Sequence, residues 1–210
     1  ALPRQLENAK KNAPAMSKIL AGVDPRDITT RKALAQLPVT RKSELKDFQH
    51  AAPPFGGLAA TAPGRLARLF MSPGPIFDPE GRGADWWRMA RPMFAAGIRA
   101  GDLVQNCFSY HFTPAASMME GGALALGCAV IPAGTGQTEM QVQSMAELKP
   151  SAYVGTPSFL KIILEKAAEI RADVSSVRRA VVGAEALPPS LRKWLHEHGV
   201  PTVQQIYASA

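Results

Sequence analysis

The sequence predicts an α/β fold, a mostly parallel sheet flanked by helices on both faces. Three observations predict it. Between Leu103 and Tyr207 five short apolar runs alternate with helical segments of roughly ten to fifteen residues. Those runs are mainly apolar rather than strictly alternating, as expected of strands covered on both faces. The junctions from strand to helix carry Gly, Thr and Pro, the residues of tight βα turns. Ligands of such sheets sit beyond the carboxyl ends of the strands. That directs attention to 72–81, 109–114, 132–138, 155–157, 183–187 and the residues after Tyr207.

Taken in order, residues 3–21 read as an amphipathic helix burying Leu2, Leu6, Ala9, Ala13, Met16, Ile19 and Leu20. Asp24-Pro25 breaks it. Thr30 caps a short helix to Gln36, and Thr40 caps the next, with Ser43 and Glu44 in its first turn. Ala51 to Pro63 is a Pro/Gly/Ala-rich loop. Leu69–Met71 reads as a short strand running into a tight loop built from Ser72, Pro73, Gly74, Pro75, Pro79 and Gly81. A helix follows over Asp85–Arg99, kinked at Pro92, then a strand at Leu103–Ser109. Pro114–Leu126 is a helix rich in small residues that must pack closely against a neighbour. The pattern continues with strand Cys128–Pro132, helix Thr138–Leu148, strand Ser151–Gly155 and helix Pro157–Arg171 with Pro in its first turn. Strand Val177–Gly183, helix Pro188–His198 and strand Val203–Tyr207 complete it. The chain stops as a strand leaves the sheet, which is expected of a fragment of a longer protein.

Composition narrows the function. The formal net charge is +7. Residues 1–68 hold 12 Lys/Arg against 5 Asp/Glu, whereas 69–210 hold 12 of each. The division expected is a basic helical region, 1–68, followed by an α/β nucleotide- and acyl-binding subdomain, 69–210. The basic excess suits a solvated helical face or an acidic ligand. No aromatic residues interleave with it, so nucleic acid is not the expected partner. No apolar run reaches the 18 residues of a membrane span, and Ala1–Asn8 does not read as a signal peptide. Cys107 and Cys128 in apolar surroundings suit free thiols of a reducing cytoplasm. The four histidines have no metal spacing, and no metal site is expected within this chain.

The loops hold the candidate site. Tyr110, His111 and Phe112 follow a strand and could line a pocket for a planar acid; they read equally as aromatic packing at a strand end. Gly183 and Ala184 let a flat ligand approach the backbone, and Glu185 could accept from an amine or hydroxyl; the same turn serves as an ordinary βα turn. Ser72 and Gly74 lie in a small-residue loop of the kind that holds phosphate through backbone N–H groups. Yet Pro73 and Pro75 carry no N–H, and Asp78 and Glu80 repel anions. A rigid surface turn is an equal reading.

Together these motifs resemble, in order, the N-terminal part of the phenylacetate–coenzyme A ligase family of AMP-forming adenylating enzymes. The resemblance runs from Leu37-Pro-Val-Thr-Arg-Lys-Ser-Glu-Leu to the last residue. It includes Pro54-Phe-Gly-Gly-Leu, Ala100-Gly-Asp-Leu-Val, Val130-Ile-Pro-Ala-Gly-Thr-Gly-Gln-Thr-Glu-Met-Gln-Val-Gln143, Gly155-Thr-Pro-Ser158, Val182-Gly-Ala-Glu185 and Ile206-Tyr207. It implies the fold of the N-terminal domain of acyl-CoA ligases. It implies ATP-dependent adenylation of an aromatic or related carboxylic acid and transfer to coenzyme A, with AMP and pyrophosphate released. ATP, Mg²⁺ and coenzyme A are the implied cofactors, and a homodimer is a frequent state of this branch. Gly183, Ala184 and Glu185 would border the adenine, Tyr207 would stack near it, and Tyr110, His111 and Phe112 would line the acyl pocket.

The departures are local. The family's phosphate loop, Ser-Ser-Gly-Thr-Thr-Gly-Lys-Pro, falls on Ser72–Pro79, where Ser72, Gly74 and Pro79 alone match. Pro75 and Ile76 replace both threonines, and Asp78 stands at the Lys. Loss of one charge-assisted contact costs roughly 1.5–3 kcal/mol before any repulsion. The Tyr-Gly-x-x-Glu motif reads Tyr207-Ala-Ser-Ala210, so its metal-binding Glu would come next, and the lid domain with the catalytic Lys lies outside the chain. No catalytic residue is identifiable within these residues, and the fragment alone is expected to be inactive. The alternative is a non-catalytic relative that binds acyl-CoA or adenylate and has lost the phosphate loop.

Overall fold

Pro14 divides the first helix. It holds Ala13 extended (φ −118°, ψ 105°), as the residue before a proline prefers. The single helix expected over 3–21 is therefore two, α1 (Leu2–Asn12) and α2 (Pro14–Ile19). This structure, a computed structural model, describes residues 1–208. Its contacts divide the chain into Ala1–Arg82 and Gly83–Ala210.

In the first unit α1 and α2 bury Leu6 and Leu20 with Ile28, and Leu2, Met16, Ile19 and Val23 pack around them. Helix α3 (Arg31–Leu34) is capped by Thr30, whose hydroxyl accepts from Ala33 N. Helix α4 (Lys42–Ala51) begins after Arg41, one residue beyond the expected cap Thr40. Glu44 accepts from the Arg41 N–H and satisfies one donor at this end. The expected loop at 72–81 is instead half of a hairpin. Strands β1 (Arg68–Ser72) and β2 (Ile76–Glu80) pair antiparallel from Arg68↔Glu80 to Ser72↔Ile76. Only Pro73, Gly74 and Pro75 form the turn. The hairpin lies in the first unit, Ala1–Arg82. Gln49 of α4 reinforces this: its side-chain amide donates to Phe77 O and accepts from Phe77 N, both at 2.8 Å, much as a neighbouring strand would.

The second unit carries a five-stranded sheet in the order β4-β3-β5-β6-β7, every neighbouring pair parallel. The strands are β3 (Leu103–Asn106), β4 (Ala129–Ile131), β5 (Ala152–Gly155), β6 (Arg179–Val182) and β7 (Thr202–Gln205). They alternate with α6 (Ala115–Ala125), α7 (Thr138–Leu148), α8 (Pro157–Glu169) and α9 (Pro189–Glu197). One face packs Val142, Met145, Leu160, Ile163 and Leu195 of α7–α9 against Tyr153, Ala180, Val182 and Val203. The other packs Met93, Ile98, Ala116, Met119 and Ala123 against Val104, Ala152, Val154 and Val181. Successive strand residues thus enter opposite cores. The α/β class with helices on both faces is the observed architecture.

The helix expected over Asp85–Arg99 shrinks to α5 (Ala90–Ala95). Asp85 and Arg88 adopt left-handed φ of 46° and 64°, conformations that a helix excludes. Asp85 Oδ1 then caps the shortened helix at Ala90 N, 3.1 Å away. Gly97, at φ 91°, ends it.

The small residues of α6 behave as expected at one position and not at its neighbour. A Cβ on Gly122 would lie 2.7 Å from Ala90 N and Met89 C, whereas one on Gly121 meets nothing within 4 Å. Gly122→Ala is expected to destabilise by about 1–3 kcal/mol through overpacking. Gly121→Ala is expected to stabilise by about 0.5–1 kcal/mol through helix propensity. Urea denaturation of the two variants checks both signs. Burial pushes the Cys107 thiol up to about 12 and raises that of Cys128. Both should stay protonated and resist iodoacetamide at pH 8 in the native protein, and react once urea unfolds it.

Candidate functional site at the carboxyl end of the sheet

The strand order places β3 between β4 and β5, which leave it on opposite sides. The crevice of such a sheet opens where the order reverses, between the carboxyl ends of β3 and β5. The loops after β3 and β5 carry Tyr110–Phe112 and Thr156–Ser158. The turn Gly183–Glu185 follows β6, and Tyr207 follows β7. Five of the six expected loops thus emerge from one end of one sheet. The sixth, at Ser72 and Gly74, belongs to the hairpin of the first unit.

Tyr110 is 38% exposed, but its hydroxyl is engaged. It donates to Glu120 Oε2 at 2.8 Å and accepts from Asn106 Nδ2 at 3.0 Å. Burial, and then the Glu120 carboxylate, raise its pKa, so it is a fixed neutral phenol. Tyr110 can therefore present a ring face to a ligand, whereas its hydroxyl is held by the protein. His111 is exposed, its backbone N–H donating to Ser109 Oγ at 3.2 Å. Phe112 is 73% exposed in a left-handed conformation, φ 56°. Its ring lies in the loop beyond the carboxyl end of β3, where a flat apolar ligand could meet it.

Glu185 has an arrangement that sequence reasoning did not foresee. Its Oε1 accepts from Ser158 N, at the first turn of α8, at 2.7 Å. Thr156 Oγ1 accepts from Phe159 N at 3.3 Å, and Pro157 has no N–H. The carboxylate occupies the positive end of α8 and ties the turn after β6 to the turn after β5. Gln205 Nε2 donates to Glu185 O at 3.2 Å and ties the same turn to β7. A Cβ on Gly183 would come within 3.1 Å of Ile206 Cγ1 and 3.3 Å of Ile206 O. Ala184 is left-handed, φ 66°. Gly155 is compelled by Tyr153, whose hydroxyl lies 2.2 Å from where a Cβ would stand. That hydroxyl donates to Thr156 O at 3.0 Å.

The loop after β4 carries three more left-handed residues, Gly134, Gly136 and Gln137, at φ 68°, 73° and 50°. Gln141, 2% exposed, holds this loop from beneath. Gln141, Asn106 and Glu120 are the positioning groups that motif reading passed over. A polar residue in an otherwise apolar strand, as at Gln105-Asn106, was the available signal.

The residues fit an adenylate's two parts unequally. A flat base suits the turn with nothing larger than a methyl on Gly183 and Ala184, and Tyr207, 97% exposed, has a ring free to stack. A triphosphate does not suit the hairpin. Asp78 was expected on a loop beside the phosphates; it lies on β2, paired opposite Phe70 and 5% exposed. Its Oδ2 is buried without a hydrogen-bond partner. Ser72 is buried too, its hydroxyl 3.4 Å from Ile76 O. Glu80 pairs with Arg68 at 2.6 Å. The turn offers Gly74 N–H between two prolines and no cation of its own. Among the described residues no three His, Cys, Asp or Glu side chains cluster to hold a metal ion. Ser209 and Ala210, which complete the Tyr207 motif, lie outside the described residues.

Glu185→Ala should free the Ser158 N–H and cost about 1 kcal/mol, the scale of a lost helix cap. Glu185→Gln, which keeps the acceptor, should cost about half as much or less. Chemical denaturation of both variants measures the difference.

Residues 85–210 match the AMP-binding enzyme family. Phenylacetate-coenzyme A ligase of Aromatoleum evansii is 31% identical over 198 residues, covering 89% of this chain and 44% of the relative. The enzyme of the same name from Thermus thermophilus is 30% identical over 207 residues, with 93% and 45% covered. The chain spans about half the length of the curated relatives it matches. Among solved structures, 2-hydroxyisobutyryl-CoA ligase in complex with 2-HIB-AMP and CoA superposes with a TM-score of 0.87 at 25% identity, over 99% of this chain and 48% of that one. A long-chain-fatty-acid-CoA ligase from Archaeoglobus fulgidus shares the fold at a TM-score of 0.54 and 15% identity, over 71% of this chain and 32% of that one. The parallel sheet, the Gly183–Glu185 turn and the match over 85–210 agree: the chain belongs to the AMP-binding enzyme family.

Proposed function

We propose that the protein is an AMP-forming acid–thiol ligase of the phenylacetate type. An aromatic or related carboxylate would displace pyrophosphate from ATP to give an acyl-adenylate, and the thiol of coenzyme A would then displace AMP. The observation that carries this reading is the turn Gly183–Glu185, clipped to α8 and β7 beside an exposed Tyr207. It lies at the same end of the sheet as Tyr110, His111 and Phe112. The similarity to phenylacetate-coenzyme A ligases supports the substrate class, and the likeness to a ligase complexed with an acyl-AMP and CoA supports the reaction class. In this reading Gly183, Ala184, Glu185 and Tyr207 hold the nucleotide. Tyr110, His111 and Phe112 line the acyl pocket, within a nucleotide- and acyl-binding subdomain 69–210 preceded by the basic helical region 1–68. ATP, Mg²⁺ and coenzyme A are the cofactors, the setting is the cytoplasmic breakdown of aromatic compounds, and the assembly is a homodimer.

The hairpin favours a second reading. A turn flanked by two prolines, with the Asp78 carboxylate buried beside it, is poorly made for Ser72 and Gly74 to hold a triphosphate. A relative that binds acyl-CoA or acyl-adenylate without turnover would have no need of such a grip.

AMP release by the full-length protein, with Mg-ATP, coenzyme A and a panel of acids including phenylacetate, separates the two. The ligase reading expects release that depends on one class of acid. A folded protein that binds an acyl-CoA by calorimetry yet releases no AMP with any acid would replace it with the second.

A further inference from the structure

We propose that Gln141 is a positioning residue for the acyl pocket, acting through the loop after β4 on the ring of Tyr110. The assignment rests on the ligase reading for what the pocket holds, and on the geometry alone for how the pocket is held.

Gln141 lies on the inner face of α7, and both ends of its amide are engaged. Oε1 accepts from Gln105 Nε2 at 2.6 Å and from Cys107 Sγ at 3.2 Å. Gln105 Nε2 also reaches Gln141 O at 3.3 Å. Nε2 faces Ala133 O, Gly134 O and Gly136 O at 3.2, 3.1 and 3.3 Å. The two N–H groups of one side chain are thus shared among three carbonyls of a loop in which Gly134, Gly136 and Gln137 are all left-handed. A loop so coiled does not hold that shape through its own backbone ladder, and a buried amide supplies the missing donors. A purely apolar residue at 141 would leave those carbonyls without this donor.

The loop in turn seats Tyr110. Gly134 N donates to Asn106 O at 2.9 Å, and Asn106 Nδ2 donates to the Tyr110 hydroxyl. A Cβ built on Gly134 would lie 4.0 Å from Tyr110 Cδ2, which puts the ring beside this loop. Displacement of 133–137 must therefore move the ring that faces the acyl group. The turn Gly183–Glu185 is held by different partners, Ser158 and Gln205, and should not feel the change.

The test uses the full-length protein and four variants. Gln141→Met removes the polar atoms at nearly constant volume. Gln141→Glu keeps acceptors and regains a donor only when protonated. Gly136→Ala strains the loop at φ 73° without contacting a neighbour. Gln143→Ala, on an exposed position of α7, is the control. Hydrogen exchange read by mass spectrometry should show 133–137 and 109–113 exchanging about tenfold faster in Gln141→Met, with 183–187 at the wild-type rate. Gln141→Glu should approach wild-type protection as the pH falls from 8 towards 5. If Gln141→Met does not fold, Gly136→Ala should give the same regional pattern. In the AMP-release assay KM for the acid should rise about tenfold while KM for ATP stays within about twofold, the signature of a lost binding contribution on the acid side.

Unchanged exchange at 133–137, or equal loosening of 183–187, would overturn the assignment, as would KM values for acid and ATP rising together. A wild-type protein that releases no AMP would remove the ligase reading, and the exchange arm would still decide the role of Gln141.

Discussion

Two buried amides on β3 need partners, and the geometry of the site follows from the partners they find, Gln105 through its Nε2 alone, its Oε1 being buried without one. Gln105 and Asn106 are consecutive and fully buried, so their side chains enter opposite cores of the sheet. Gln105 meets Gln141 on the α7 side. Asn106 meets the Ala116 carbonyl of α6 at 2.9 Å and the Tyr110 hydroxyl, and its Oδ1 accepts from Phe108 N at 3.2 Å. An unpaired amide in such a place costs about 1–3 kcal/mol, a large fraction of the stability of a domain. The strand at the switch of the sheet order therefore specifies both the loop that follows it and the loop after β4. A core of aliphatic residues at 105 and 106 would hold the sheet as well but would leave those loops unfixed.

Most of the sheet was legible because its signals are local. Helix α7 spans the expected Thr138–Leu148 exactly as its flanking turn residues indicate, and α8 starts at the expected Pro157. Strand positions came through as mainly apolar runs, buried in β5 and β6 and more open in β4 and β7, with ends shifted by one to three residues. The misreadings occur where non-local or unusual backbone geometry decides. Asp85 and Arg88 take left-handed conformations without being glycine, and nothing in composition announces that. Ile76–Glu80 holds two acids and a proline, poor strand formers, yet becomes a strand because β1 and Gln49 supply partners on either side. Pro79 is tolerated in a two-stranded ribbon, where one edge needs no continuous ladder.

The site was legible in part for a related reason. Motifs identify which turns face the ligand end, since a parallel sheet sends every βα turn to the same side. They do not identify which polar groups are already committed to the protein. Tyr110 and Glu185 read as ligand contacts from sequence, and each turns out to hold a second element: Tyr110 bridges Asn106 to Glu120, and Glu185 bridges β6 to α8. Their partners are 4, 10 and 27 positions away, distances at which no spacing rule operates. What stays open there is therefore mainly surface without strong hydrogen-bonding demands, the rings of Tyr110, Phe112 and Tyr207 and the bare backbone of Gly183-Ala184, with exposed His111 as the polar exception. Such a surface favours flat apolar groups over charged ones.

That selectivity bears on how charge is distributed between the two units. The basic excess of the chain lies in residues 1–68, while on the hairpin the two acids, Asp78 and Glu80, are buried and Arg68 stays half exposed. Arg68 is engaged with Glu80, and the Asp78 carboxylate is buried with one oxygen unpartnered. Burying a carboxylate oxygen without a donor is costly. A donor brought to Asp78 would relieve that cost, whereas an anion brought to the Pro73–Pro75 turn would add repulsion. If ATP binds, its phosphates must draw their compensating charge from groups other than this hairpin. The turn Gly183–Glu185 and the loop Tyr110–Phe112 are held by partners within the second unit, so their geometry makes no demand on Asp78.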